Sequence, residues 1–249
     1  MRKTHILLVL AGVFALPNAS ADPAIDAAIA NESRLDEHRE RDARSHPQVI
    51  LDLLQLKPGD DVVDVFGGGG YYAELMAAMV IPGGSVVLQN NKPYSRWVEE
   101  QIQKRYVDEG VPGISLLMSE VDELNLGSQK FDVAIMVMSY HDLYYNNPDR
   151  GWFETDIDLF FSQIHAALKP GGRLMIIDHS AASGSGSSAA QDLHRIDESY
   201  AKQEIARNGF KLIASSDVLR NPNDDRAKLV FDKTVRGETD RFVLLFAKE

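Results

Sequence analysis

From residue 61 onward the chain alternates between short, almost wholly apolar runs and longer segments whose apolar positions recur every three to four residues. The runs at 61–66, 85–90, 114–119, 131–139 and 173–179 read as strands buried on both faces. The segments at 71–80, 94–109, 152–168 and 191–208 have helical spacing. Glycine and proline punctuate the pattern: four glycines at 67–70, Pro82-Gly83-Gly84, Lys169-Pro170-Gly171-Gly172, and Gly209 as a left-handed cap. Strands alternating with helices predict a parallel sheet covered on both faces. The last two runs, 211–219 and 241–247, are separated only by the polar stretch 220–240, which carries Pro222 and Gly237. Strands joined without a crossover helix pair antiparallel. The expected fold class is therefore α/β: a Rossmann-like, doubly wound, mostly parallel seven-stranded sheet ending in an antiparallel hairpin. No internal repeat or second domain is visible.

Ahead of this domain, placed at 61–249, residues 22–60 read as a helical segment. Arg34, Arg39, Arg41 and Arg44 alternate there with Asp36, Glu37, Glu40 and Asp42 at spacings that suit a solvated helix. Pro47 opens a more apolar helix at 49–56, and Asp42 and Arg44 are candidates for a lid over a pocket. Residues 1–21 have the form of an export signal: Arg2 and Lys3, an apolar stretch at 6–16 broken by Pro17, and Ala19-Ser20-Ala21 as a cleavage site. The expectation is cleavage after Ala21 and a periplasmic or secreted chain without stable membrane insertion, because the apolar stretch is about half the length needed to span a bilayer.

Composition narrows the partners. The sequence holds no cysteine, which excludes a disulfide framework and a lipidated cysteine. Removing Arg2 and Lys3 takes the formal net charge from −11 to −13, and so acidic a surface repels nucleic acid and anionic lipid. A small-molecule substrate is the expected partner; nothing in the sequence speaks to oligomeric state.

The glycines at 67–70 lie between a strand and a helix, where free backbone N–H groups suit a nucleotide-like ligand. With Val62-Val63-Asp64 before them, Phe131-Asp132-Val133-Ala134-Ile135 after an acidic loop, Leu168-Lys169-Pro170-Gly171-Gly172-Arg173-Leu174 before the fifth strand, and the terminal hairpin, the order resembles the class I S-adenosylmethionine-dependent methyltransferases across 47–248. More narrowly, Gly68-Gly69-Gly70-Tyr71-Tyr72, Asp178-His179-Ser180, Leu193-His194-Arg195-Ile196-Asp197 and Thr239-Asp240-Arg241-Phe242 resemble a group of extracytoplasmic methyltransferases. The resemblance implies S-adenosylmethionine as cofactor, with Asp64, Gly68 and Gly70 at its methionine part and ribose edge. It also puts Asn90 where the family has a ribose-binding acid, and Glu120 or alternatively Asp122 at the adenine amino group. Phe66 stands at the first family glycine, where its bulk narrows the approach.

A second constellation follows the last parallel strands. His141-Asp142 comes after the fourth, Asp178-His179 after the fifth, and His194 and Asp197 are expected three apart on one face of the next helix. Such loops line the crevice of open α/β sheets, so the clusters are expected to converge. Two chemistries compete: a general base, His141 or His179, oriented by Asp178 or Asp197, or a divalent metal held by imidazoles and carboxylates. Hydrogen-bonded edge groups are the structural alternative. Arg195 suits either an acidic substrate group or an ordinary ion pair. Of Tyr71 and Tyr72, one is expected in the core and the other at the pocket. Tyr140, Tyr144, Tyr145 and Trp152 form a candidate aromatic wall, and the Gly/Ser run at 183–188 reads as a mobile loop.

Overall fold

The computed structural model describes residues 22–249; the expected export segment, 1–21, lies outside the described residues. The strands are β1 (Asp61–Val65), β2 (Ser85–Asn90), β3 (Ile114–Met118), β4 (Phe131–Val137), β5 (Leu168–His179), β6 (Phe210–Ser216) and β7 (Arg241–Lys248). They form one seven-stranded sheet in the order β3-β2-β1-β4-β5-β7-β6. The first five pair parallel, and β7 runs antiparallel to both β5 and β6. The expected architecture is present, hairpin included. Strand order reverses direction at β1, so the crevice of such a sheet opens between β1 and β4 at their carboxyl ends.

The helices are α1 (Pro23–Ile29), α2 (Asp36–Ser45), α3 (Pro47–Leu54), α4 (Tyr71–Val80), α5 (Lys92–Ile102), α6 (Ile157–Ala167), α7 (Ala190–Leu193) and α8 (Glu198–Arg207). Among the described residues no helix is long and apolar enough to cross a membrane. The N-terminal helices are part of the fold rather than an appendage. Ile25, Ala28, Ile50, Leu51 and Leu54 share one buried cluster with Tyr71, Leu75 and Met76 of α4 and Val62 of β1. The other face buries Phe66, Tyr140, Phe160, Phe161, Phe210, Phe242 and Phe246.

Three expected helices differ, each for a local reason. Asn91 caps α5 by accepting the Tyr94 amide, so the helix starts at Lys92, and it passes into a π-helical turn at Gln103–Asp108. Residues 152–156 are not helical: Asn147 and Trp152 pair across a tight turn, and Asp156 caps α6 through the Leu159 amide. The expected helix at 191–208 is two helices. His194 is left-handed with φ of 53°, and Ile196 pairs with Ser180 beyond the end of β5. The Gly/Ser run is a chain of tight turns closed by the Ser185 and Ser188 hydroxyls on backbone carbonyls.

Candidate functional site

At the end of β1 the chain makes its turn through three left-handed residues, Phe66 (φ 53°), Gly68 (φ 59°) and Gly70 (φ 83°). Gly70 is obligatory: a Cβ there would lie 2.0 Å from the Tyr106 hydroxyl oxygen. Gly68 differs, because a Cβ built on it meets nothing within 4 Å, which marks open space beside the turn. Tyr106 donates to the Gly69 carbonyl at 2.9 Å and Gln101 to the same carbonyl at 3.3 Å, bracing the turn on its α4 side. On the opposite face the Phe66 ring stacks on Tyr94 (5.3 Å, 6°) and Phe160 (5.9 Å, 24°). Phe66 thus sends its bulk into an aromatic stack beneath the crevice.

The amides that close β2 are all engaged. Gln89 accepts from the Phe66 amide and donates to Ser119, and Asn91 caps α5. Asn90 grips Gly68 twice, accepting from its N–H at 2.9 Å and donating to its carbonyl at 3.0 Å. Asn90 therefore fixes the shape of the glycine turn. Asp64 is buried beside the turn; burial pushes its carboxyl up to about 7, against the opposing pull of Arg41. Glu120 is exposed and accepts from the Lys92 amide at 3.2 Å, and Asp122 is exposed nearby.

The histidine–aspartate clusters converge at the ends of β4 and β5. Asp178 is fully buried and accepts three bonds of 2.7 Å: from the His141 ring through Nδ1, from the His141 amide, and from the His179 amide. That locks His141 with Nε2 directed outward. Nε2 lies 3.2 Å from Asp142 Oδ1 and 3.3 Å from His194 Nδ1, and His194 Nδ1 lies 3.1 Å from the same Asp142 oxygen. The other Asp142 oxygen accepts from the Tyr94 hydroxyl. Burial works against a charge on His141, yet Asp142 and Asp178 outweigh it and raise the imidazole well above its usual value. His179 packs behind, 5.7 Å from His141 between ring centroids, with Nδ1 on Thr239 at 2.6 Å; burial drives its ring well below the usual histidine value. Around the opening stand Tyr145 and Phe231, whose rings lie 4.7 and 5.1 Å from His194, with Trp152 beyond, 5.7 Å from Tyr145.

Other expected members stand elsewhere. Asp197 caps α8 and accepts from the Gly184 amide, so it fastens the 183–188 turns; it does not share a helix face with His194, because the chain breaks between them. Arg195 is neither a surface ion pair nor a substrate clamp. It is 0 % exposed and forks onto Asp224 at 2.8 and 3.1 Å, with Nε donating to the Lys228 carbonyl and Nη1 also to the Ser180 carbonyl. Tyr71 and Tyr72 are both buried, and the Tyr71 hydroxyl reaches Asp42, not the crevice. Asp42 is in turn held by Arg34, so it anchors α2 to α4. Tyr140 is likewise buried and donates to Glu204. Asp142, expected in the cluster with His141, contributes one of the three converging atoms. Tyr94, which the sequence did not mark, ties Asp142 to the aromatic stack.

Comparison with known proteins agrees with this layout. A family model described as "Methyltransferase domain" matches residues 63–176, from β1 into β5. The ubiquinone/menaquinone biosynthesis C-methyltransferase of Ectopseudomonas mendocina is 27% identical over 131 residues, covering 52% of this chain and 46% of that protein. Its counterpart in Methylococcus capsulatus is 22% identical over 202 residues, covering 80% and 75%. The chain thus spans about half the length of the first of these relatives. Among solved structures, a SAM-dependent methyltransferase from Aquifex aeolicus superposes with a TM-score of 0.59 at 19% identity, covering 84% of this chain and 93% of that one. An S-adenosylmethionine-dependent methyltransferase from Mesorhizobium loti gives 0.56 at 16%, covering 84% and 100%.

Proposed function

We propose that this chain is a class I S-adenosylmethionine-dependent methyltransferase and transfers a methyl group to a small organic acceptor bound over the ends of β4 and β5. The observation that carries the reading is the open space at Gly68, on a glycine turn at the end of β1, whose neighbour β4 leads into His141 within a matched methyltransferase domain.

The turn fits the family's cofactor at that open side, where no side-chain carbon fills the space beside Gly68. Asp64, Gly68 and Gly70 would hold its methionine part and ribose edge, with Asn90 shaping the turn and Glu120, or alternatively Asp122, toward the adenine. S-adenosylmethionine supplies an electrophilic methyl group on a sulfonium when bound. The chain's own contribution is mostly positioning, which holds acceptor and methyl in line. Tyr145, Trp152 and His194 wall the acceptor side, and Asp178 positions His141. Where the acceptor carries a proton, His194 is the ring on the open side that reaches it, since both nitrogens of His141 face carboxylates. The relatives methylate carbon in ubiquinone/menaquinone biosynthesis; for this chain the proposal goes no further than a small organic acceptor. Residues 1–21 support a periplasmic location.

Calorimetric titration with S-adenosylmethionine and S-adenosylhomocysteine tests the reading. Saturable micromolar binding of both is expected, and no binding at millimolar cofactor would overturn it.

A further inference from the structure

The donor atoms His141 Nε2, Asp142 Oδ1 and His194 Nδ1 form a nearly equilateral triangle with edges of 3.1, 3.2 and 3.3 Å. A zinc- or iron-type ion holds nitrogen and oxygen donors at about 2.1 Å, and donor–metal–donor angles of roughly 90 to 109° then separate the donors by about 3.0 to 3.4 Å. All three edges fall in that interval. We propose that His141, Asp142 and His194 bind one divalent first-row transition ion as a two-histidine, one-carboxylate face.

Three further observations point to an ion. The outer partners that orient metal ligands are in place: Asp178 fixes His141 through Nδ1, and the Tyr94 hydroxyl occupies one oxygen of Asp142, leaving the other for the ion. Protons alone serve the triangle poorly. With Nε2 of His141 protonated, two ring N–H groups aim at one carboxylate oxygen while standing 3.3 Å apart; with it unprotonated, its lone pair faces that oxygen at 3.2 Å. Access is graded as well. Side-chain exposure rises from 3 % at His141 through 10 % at Asp142 to 17 % at His194, so one side of the triangle is closed by protein and the other opens toward Tyr145 and Phe231.

A three-ligand face leaves coordination positions on the open side. The substrate class that fits them is an acceptor with an oxygen donor, whose hydroxyl loses its proton more readily on the ion. This substrate assignment rests on the methyl-transfer reading; the ion site does not.

The experiment is therefore run without cofactor. Chelator-treated, untagged protein is titrated with Zn²⁺ by calorimetry and with Co²⁺ by visible absorption. One ion per chain is expected, with a d–d absorption band for Co²⁺. Asp142→Asn and His194→Ala should each weaken Zn²⁺ by at least a hundredfold, and Asp178→Asn by ten- to a hundredfold. His165→Ala, whose ring bonds the Glu249 carbonyl far from the triangle, should leave affinity within twofold. Thermal melts of the variants identify any that fail to fold, and Asp178→Asn read against His165→Ala keeps the test informative if one does. No saturable uptake of either ion at 100-fold excess over protein overturns the site, and so does uptake that survives His141→Ala/His194→Ala unchanged.

Discussion

Gly68→Ala adds one carbon atom on the open side of the glycine turn, and its two consequences can be measured apart. The backbone at Gly68 is left-handed, which costs an L-residue roughly 1–2 kcal/mol. Alanine recovers about 0.4–1 kcal/mol by restricting the unfolded chain. No atom lies within 4 Å of the new carbon, so no clash adds to this, and both bonds to Asn90 use backbone atoms that alanine retains. The net loss is about 1 kcal/mol, or roughly 2–4 °C in melting temperature for a domain of this size. Cofactor binding should suffer more. An extra carbon in a filled pocket typically costs about 1–3 kcal/mol, and each 1.4 kcal/mol or so is tenfold in affinity. Titration with S-adenosylmethionine should show a loss between about fivefold and a hundredfold, alongside the small drop in melting temperature. Affinity within twofold of the parent, with the melt shifted as expected, would mean that the cofactor does not approach Gly68. Gly70→Ala cannot serve in its place, because its new carbon would strike Tyr106 and disturb the fold itself.

The Arg195–Asp224 pair sets a stability prediction. Asp224→Ala leaves a wholly buried guanidinium and the amides of Asp240 and Arg226 without their acceptor, and should cost about 3–5 kcal/mol in urea unfolding. Arg195→Met/Asp224→Leu should be less damaging than the single change; a double variant as unstable as Asp224→Ala would refute the buried-charge argument. A further prediction concerns acid. Burial would raise the Asp42 carboxyl, but the bonds from Arg34 and Tyr71 outweigh it and hold it below the usual aspartate value. Its contribution is therefore present above the unfolded value near 4 and disappears as pH falls through the lower folded value. Asp42→Asn should flatten the fall in unfolding free energy between pH 5 and pH 2; an unchanged slope would remove Asp42 from the account.

Much of the architecture was legible because strands buried on both faces carry their own signature. The runs from Asp61 to His179 announce a parallel sheet, and the helix-free polar stretch before Arg241 announces the hairpin. The meeting of His141 with Asp178 follows from β4 and β5 being neighbours, with Val137 opposite Ile177 just before both clusters. What stayed hidden depends on partners remote in sequence. Nothing between Gln191 and Asn208 resembles a helix breaker; the break comes from Ile196 pairing with Ser180 and lifting His194 into a left-handed turn. The role of Arg195 depends on Asp224 in a stretch with no periodic pattern. The grip of Asn90 on the glycine turn was hidden for a similar reason, since both of its bonds go to Gly68, 22 residues earlier in the chain.

The place of β7 has a consequence for how the chain assembles. It follows every other strand in sequence, yet it is an inner strand, with β5 on one side and β6 on the other. Until it arrives, β5 presents an open row of peptide groups and β6 has no neighbour to hold it. Sheet closure must therefore wait for the final strand during synthesis, so the polypeptide spends that interval with a sticky apolar margin and no completed core. Such a late-closing topology leaves the newly made chain open to edge-to-edge association until β7 is in place.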